Sequence, residues 1–355
     1  MRAHSIAAIP GDGIGVETVS IARRVLDALA KRDIFDLHWS EHDWGCERYV
    51  RTGRMMPEDG LATLAGCDAI LLGAVGAPGV PDHISLWGLL IPIRRSFEQY
   101  VSLRPARLLR GVTSPLAATA QTDVVVVREN CEGEYSEIGG RLFPGTPHEL
   151  AVQEAVFTRR GVTRIARYAF QAARTRTGRV ASATKSNGIR HTMPFWDEIV
   201  EEVAAEYPDV ALTRYHADAL TALLVHDPAR FDVIVASNLF GDLLSDLTAA
   251  LCGGLGIAPC ANLDPTRVHP SMFEPVHGSA PDIAGTGRAN PIGQLWAAAM
   301  MLDHLGERAS ARSLEAAIER AVGLGHVTPD LGGTLSTAQV GDAVLAGLAE
   351  GPADA

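Results

Sequence analysis

The tract Phe231 to Asp246, FDVIVASNLFGDLLSD, sets Asp242 and Asp246 four residues apart, after an apolar strand-like run and a short NLFG connection. On a helix this spacing puts both carboxylates on one face, where like charges repel unless a cation lies between them. Oxygen ligands of this kind suit a hard divalent ion such as Mg2+ or Mn2+. Taken alone, such a pair is more often a solvated helix face. Arg94 in IRRSFEQY, Arg104 in SLRP and Arg128 in VVREN supply planar donor forks of the sort that grip carboxylates. A single arginine, however, is more often a surface residue or an ion-pair partner.

These groups need elements to hold them. Strand-length apolar runs recur between helix-like segments: SIAAIP followed by a helix over 15–31, then DAILLGAVG, DVVVVREN and FDVIVASN. The pattern is α/β. Gly161 to Arg176 reads as an amphipathic helix with Ile165, Ala169 and Ala172 or Ala173 on one face, and a strand-like RVASATK follows it. Glu198 to Tyr207 and Ile292 to Leu305 also read as helices, the second nearly apolar throughout. Glu274 to Pro291, EPVHGSAPDIAGTGRANP, is so dense in glycine and proline that it reads as a structured loop, through which no helix or central strand runs. GDGIG at Gly11 to Gly15 lacks the third glycine of a dinucleotide fingerprint, with Val16 in its place, and reads as a tight strand-to-helix turn.

A chain of 355 residues allows about two domains. A net charge of −11 leaves no basic footprint for nucleic acid. The first apolar run stops at Pro10, too early for a signal-peptide core, and no membrane-length apolar stretch follows, so a cytoplasmic protein without membrane attachment is expected. Five scattered cysteines without CxxC spacing support neither a disulfide framework nor zinc.

GDGIG, KSN at Lys185 to Asn187 and the 274–291 loop together resemble the β-decarboxylating dehydrogenases, the isocitrate and isopropylmalate dehydrogenase family. PDHISLWG, EGEYS, VFTRRG, SATKSNG and VASNLFGD are similar to its tartrate/D-malate branch. The resemblance implies a two-domain α/β fold with a central cleft, not Rossmann. Its first domain would be 1–98 plus 252–355, and its second 99–251, with a dimerisation arm near 132–157. It implies that Arg94, Arg104 and Arg128, with Asn187, bind a small dicarboxylate. Asp218 in YHADAL would join Asp242 and Asp246 around Mg2+ or Mn2+, and Lys185 and Tyr135 would move protons. Both have unperturbed pKa values of about 10, so burial or a nearby cation must tune them. Lys185 and Asp218 would reach the site from the neighbouring subunit of a homodimer.

The resemblance also places NAD on HGSAPDIAG and Asn290, through His277, Gly278, Ser279, Ala280, Asp282 and Ile283. A carboxylate at Asp282 accepts from a free ribose hydroxyl and repels a 2′-phosphate, which favours NAD over NADP. Gly188 stands where isopropylmalate enzymes carry a valine, and Trp87 where they carry a glutamate, although Trp87 is equally suited to core packing. The expected reaction is therefore oxidation and decarboxylation of D-malate or tartrate. The alternatives are 3-isopropylmalate oxidation and a silent nucleotide-binding regulatory subunit; a metal-dependent hydrolase is weaker, since no activated nucleophile is evident. Three departures bear on the pocket: Pro92, which should break or kink its helix and could shift Arg94, Cys131, and the pair Arg190-His191.

Overall fold

A computed structural model describes residues 2–116 and 122–349. They fall into two units, residues 2–99, 107–116 and 249–349, and residues 100–106 and 122–248. The chain opens with β1 (Arg2–Gly11), α1 (Ile14–Asp33), β2 (Phe35–Glu41), α2 (Cys46–Thr52), α3 (Gly60–Leu64), β3 (Ala69–Ala74), α4 (Asp82–Ser85) and α5 (Ile91–Ser96) in the first unit. Next come β4 (Val101–Arg107), β5 (Asp123–Glu129), β6 (Gly139–Leu142), β7 (Leu150–Gln153), α6 (Arg159–Arg174) and β8 (Arg179–Thr184), largely in the second unit. There it continues through α7 (Thr192–Ala204), β9 (Ala211–His216), α8 (Ala217–His226), β10 (Val233–Ala236) and α9 (Asn238–Leu251). It returns to the first unit with β11 (Pro259–Leu263), β12 (Ser271–Pro275), α10 (Ile292–His304), α11 (Arg308–Gly323) and α12 (Thr337–Ala349).

In the first unit the strand order is β2-β1-β3-β12-β11, parallel except for the antiparallel β11–β12 pair. In the second it is β4-β5-β10-β8-β9, with β5, β10, β8 and β9 mutually parallel. Every residue of β3, AILLGA, and of β10, VIVA, is buried, as strands covered on both faces require. In α6 the buried residues include Val162, Ile165, Ala169, Phe170 and Ala173, and each of the large ones contributes about 1.5–3 kcal/mol. Thr158 Oγ1 accepts from the Gly161 N–H and caps this helix, which starts two residues earlier than its periodicity suggested.

Other expectations need correction. The helix read over 198–207 occupies Thr192–Ala204, because Pro194 falls in its first turn, where no intrahelical donor is required. Pro92 does not break its segment: Leu86–Leu90 forms a wide π-helical turn, and Pro92 occupies the first turn of α5, directly after it. The loop proper begins at Val276, since Glu274 and Pro275 complete the buried strand β12.

Strands β6 and β7 pair antiparallel as a separate ribbon, with Gly139 opposite Gln153 and Leu142 opposite Leu150. All eight of its strand residues are exposed, Leu142, Leu150 and Val152 included, and so is Phe143 at its turn. An isolated two-stranded ribbon is marginal in water and gains stability only by packing. No described helix is long and apolar enough to cross a membrane.

Candidate active site

In the second unit, α9 carries Asp242 and Asp246 one turn apart on one face, and a single nitrogen shows it. Arg104 Nη1 lies 3.0 Å from Asp242 Oδ1 and 3.3 Å from Asp246 Oδ1. The same nitrogen donates to Ser245 Oγ at 2.9 Å. Arg128, with 2% of its side chain exposed, ion-pairs with Asp242 and donates through Nε and Nη2 to Asn238 Oδ1 at 3.0 and 2.7 Å. Gly241 is required beneath it, because a Cβ there would lie 2.6 Å from Arg128 Cβ. Tyr135 completes the cluster, its hydroxyl donating to Asp242 Oδ2 at 2.9 Å. Burial, reinforced by the Asp242 charge, raises the pKa of that phenol, so it is held as a proton donor.

The donor set can be tested against a divalent cation. Burial raises the pKa of the Asp246 carboxyl, and the neighbouring Asp242 charge adds to the effect against the pull of Arg104. A guanidinium nitrogen already stands between the two carboxylates, and hard oxygen donors are what Mg2+ or Mn2+ prefers, so the pair fits such an ion. Asp218 does not join them. It sits at the start of α8, exposed, with Lys185 Nζ 2.9 Å from its Oδ2, and this hydrogen bond lowers its pKa. Among the described residues, no three His, Cys, Asp or Glu side chains converge on a possible metal position. Asn187 is exposed in the turn after β8, two residues beyond Lys185.

The first unit contains the other predicted residues. Arg94 is buried and pairs with Glu274 Oε1 at 2.8 Å, an oxygen that also accepts from Asn262 Nδ2. Trp87 is half-buried under the Arg95 guanidinium, 4.9 Å from its centroid, and lines a cavity with Met55, Met56 and Ile84. The 276–290 loop is held mainly through its backbone. Ile14 N–H donates to Ser279 O at 2.9 Å, Thr337 N–H to Gly287 O at 2.8 Å, and Thr337 Oγ1 to Ala289 O at 2.7 Å. Gly13, at φ +56°, permits the first contact, since a Cβ there would lie 2.1 Å from Ser279 O. GDGIG is thus a tight turn clamped onto this loop, and Asp12 braces it by accepting from the N–H groups of Cys46 and Gly76.

Within the loop, Gly278 and Asp282 are exposed, Ser279 is buried, and Ala280 and Ile283 are half-buried. Ala280 adopts a left-handed φ of +39°. Asn290 is buried, bonded to Asp330 and to the Ile292 N–H at the start of α10. Burial lowers the pKa of His277, whose Nε2 is buried without a hydrogen-bond partner among the described residues. An orphaned buried ring nitrogen in a loop that also exposes the Asp282 carboxylate fits a polar ligand such as a dinucleotide.

Reasoning from sequence overlooked the residues that hold these groups. Glu129 is buried at the end of β5, and its Oε2 accepts from the N–H groups of Cys131 and Glu132 at 2.9 and 2.7 Å. Glu134 accepts from Ser237 Oγ and Leu239 N–H, and Asn238 joins Arg128 to Glu132 O. The available signal was the acidic spacing in RENCEGEYS, but the partners of Glu134 lie about a hundred residues away.

A largely parallel α/β scaffold thus carries a guanidinium–carboxylate cluster in one unit and a glycine-rich loop in the other. The family described as isocitrate/isopropylmalate dehydrogenase matches residues 5–344, and the chain belongs to it. The chain is 51% identical over 350 residues to the probable tartrate dehydrogenase/decarboxylase of Bacillus subtilis, covering 98% of this chain and 99% of that one. It is 54% identical over 354 residues to the D-malate dehydrogenase (decarboxylating) of Escherichia coli, covering 97% and 98%. The crystal structure of isocitrate dehydrogenase from Methylococcus capsulatus superposes with a TM-score of 0.89 at 36% identity, over 97% of this chain and 99% of that one. The family and fold expected from the sequence are those found, and the protein is an oxidoreductase.

Proposed function

We propose that the protein uses NAD to oxidise the C2 hydroxyl of D-malate or a tartrate and, where a β-carboxylate can leave, releases CO2. The observation that carries this reading is the convergence of Arg104, Arg128 and Tyr135 on Asp242. Arg104 and Arg128, with Arg94 and Asn187, grip and orient the diacid, which removes much of the entropic barrier before reaction. Lys185 takes the hydroxyl proton. NAD, held by the 276–290 loop, would supply the two-electron acceptor for the C2 hydrogen; the 2-keto acid so formed then loses its β-carboxylate as CO2, leaving the enolate. Tyr135 returns a proton to the enolate carbon, so D-malate yields pyruvate, CO2 and NADH.

Asp242 and Asp246 of one copy and Asp218 of another would hold Mg2+ or Mn2+, which supplies charge stabilisation at the C2 oxygen when bound. Asp218 and Lys185 are already paired in each chain, which supports their acting together as a unit presented to a second copy. The exposed apolar ribbon β6–β7 supports a homodimer. The loop with His277, Asp282 and Asn290 holds NAD, with its domain formed by 1–98 plus 252–355 and the substrate domain by 99–251.

The test is NADH formation by purified protein with D-malate, L-tartrate, meso-tartrate and 3-isopropylmalate, each with Mn2+ and with a chelator. Metal-dependent turnover led by D-malate or a tartrate is expected. Preference for 3-isopropylmalate would overturn the reading of Gly188, and turnover indifferent to the chelator would overturn the metal assignment.

A further inference from the structure

We propose that Glu134 is a positioning residue that sets where Tyr135 delivers its proton; the inference rests on the role given to Tyr135 above. The turn carrying Tyr135 has to meet a carboxylate on α9, more than a hundred residues along the chain. Three links tie the two. Glu132 O accepts from Asn238 Nδ2 at 3.0 Å, Tyr135 Oη donates to Asp242 Oδ2 at 2.9 Å, and between them lies the Glu134 carboxylate. Its Oε1 accepts from Ser237 Oγ at 2.8 Å and its Oε2 from the Leu239 N–H at 3.0 Å.

Leu239 N–H belongs to the first turn of α9, where the helix has no internal acceptor and its positive end favours an anion. Glu134 thus caps α9 from another segment, and its covalent neighbour is Tyr135. Asp242 lies one helical turn beyond that cap. The phenol is therefore held at two points on one rigid helix, by Glu134 at its start and by Asp242 further along. Within this frame the enolate carbon takes the Tyr135 proton, the phenolate left behind faces the Arg128 guanidinium 5.6 Å from the ring centroid, and solvent restores the proton. Removing Glu134 leaves the substrate arginines and both α9 carboxylates in the sequence but frees the turn that aims the acid. A misplacement of roughly 1 Å is enough to cost about a hundredfold in rate.

The experiment compares wild type, E134A, E134Q, Y135F and E134A/Y135F, using rapid-mixing NADH traces and steady-state turnover of D-malate with Mn2+. Proton return follows hydride transfer, so E134A should keep a fast first turnover of NADH and then turn over about 10–100-fold more slowly. E134Q keeps an acceptor for Leu239 and should recover most of the rate. The double variant should be no slower than Y135F, because Glu134 acts through Tyr135. If E134A fails to fold, E134D carries the same test, its shorter side chain withdrawing the acceptor from Leu239. First turnover and steady state falling together, or losses from E134A and Y135F that multiply, would overturn the proposal. A wild type that oxidises none of the diacids would instead remove the reading beneath it, so the two failures are distinct.

Discussion

The carboxylate cluster on α9 and the loop at 276–290 are held by opposite means. Around α9 the bonds run mostly between side chains: Arg104 and Arg128 to Asp242, Tyr135 to Asp242, and Ser237 Oγ to Glu134, which also accepts from the Leu239 N–H. In the loop they run largely to backbone, through Ser279 O, Gly287 O and Ala289 O, and Asp282 remains exposed. In the first region the groups assigned to chemistry are also the groups that hold the structure. In the second, scaffold and recognition are separable at the exposed Asp282, though not at Asn290, whose side chain is bonded to Asp330 and to the Ile292 N–H. A substitution near α9 should therefore damage stability and turnover together, whereas one in the loop can alter affinity alone.

The largest effect should come from Arg128→Ala. It strips a buried cation from Asp242 and Asn238, and since Asp242 is partly exposed and keeps Arg104, the cost should be about 1.5–3 kcal/mol, that of a hydrogen bond to a charged group. Loss of the charge-stabilising donor should lower kcat/KM by about 10³-fold. Denaturant unfolding and NADH formation, measured on the same preparation, check both. Full activity with lost stability would break the claim that the two roles coincide.

Glu129, beside the same cluster in sequence, makes stability on this side depend on pH. Burial pushes its carboxyl up to about 8, against the pull of the Cys131 and Glu132 N–H groups and of Arg164, whereas the ordinary value is 4.5. Between those values the folded chain binds a proton that the unfolded chain does not, so this group's stability contribution is fully present below pH 4.5 and is lost as pH rises towards 8. Each unit of pH inside that window costs about 1.4 kcal/mol. Glu129→Gln removes the titration, so its thermal midpoint relative to wild type should rise between pH 5 and pH 8. A constant gap across that range would show that the carboxyl is not held protonated.

Much of this arrangement is legible locally. Asp242 and Asp246 fall on one helix face as their spacing requires, and the apolar runs of β3, β5 and β10 form buried strands. What escaped was either non-local or backbone-specific. Glu134 reaches Ser237 and Leu239 across more than a hundred residues, and no periodicity encodes that pairing. Pro194 hid the start of α7 because a proline is costly inside a helix but costs little in its first turn. Pro92 misled for the same reason, with a π-turn in front of it absorbing the change of path. The family resemblance brought Lys185, Asp218 and Asn187 forward; by residue type alone each is an ordinary surface side chain.

On the loop side, Asp282→Ala should raise the KM for NAD by about tenfold, the value of one hydrogen bond to a charged group. The thermal midpoint should not move, because the side chain is exposed. Asp282→Lys should in addition improve NADP relative to NAD by replacing repulsion of a 2′-phosphate with attraction. Loss of stability in either variant would mean that the loop's side chains also hold its scaffold, as those around α9 do.

The smallest effect is expected at Thr337, which is buried at the start of α12 and never meets the cofactor in this reading. Thr337→Val keeps the side-chain shape and the N–H that donates to Gly287 O, and deletes only the hydroxyl that donates to Ala289 O. Leaving that carbonyl without its donor costs about 1 kcal/mol, spent on the geometry of the loop rather than on the global fold. The KM for NAD should therefore rise by about two- to fivefold, with kcat and the KM for D-malate unchanged. Steady-state kinetics at saturating and limiting NAD separates these quantities. A fall in kcat from loss of this hydroxyl would show that the loop's backbone geometry governs the chemical step, and the division between scaffold and recognition drawn for this region would fail.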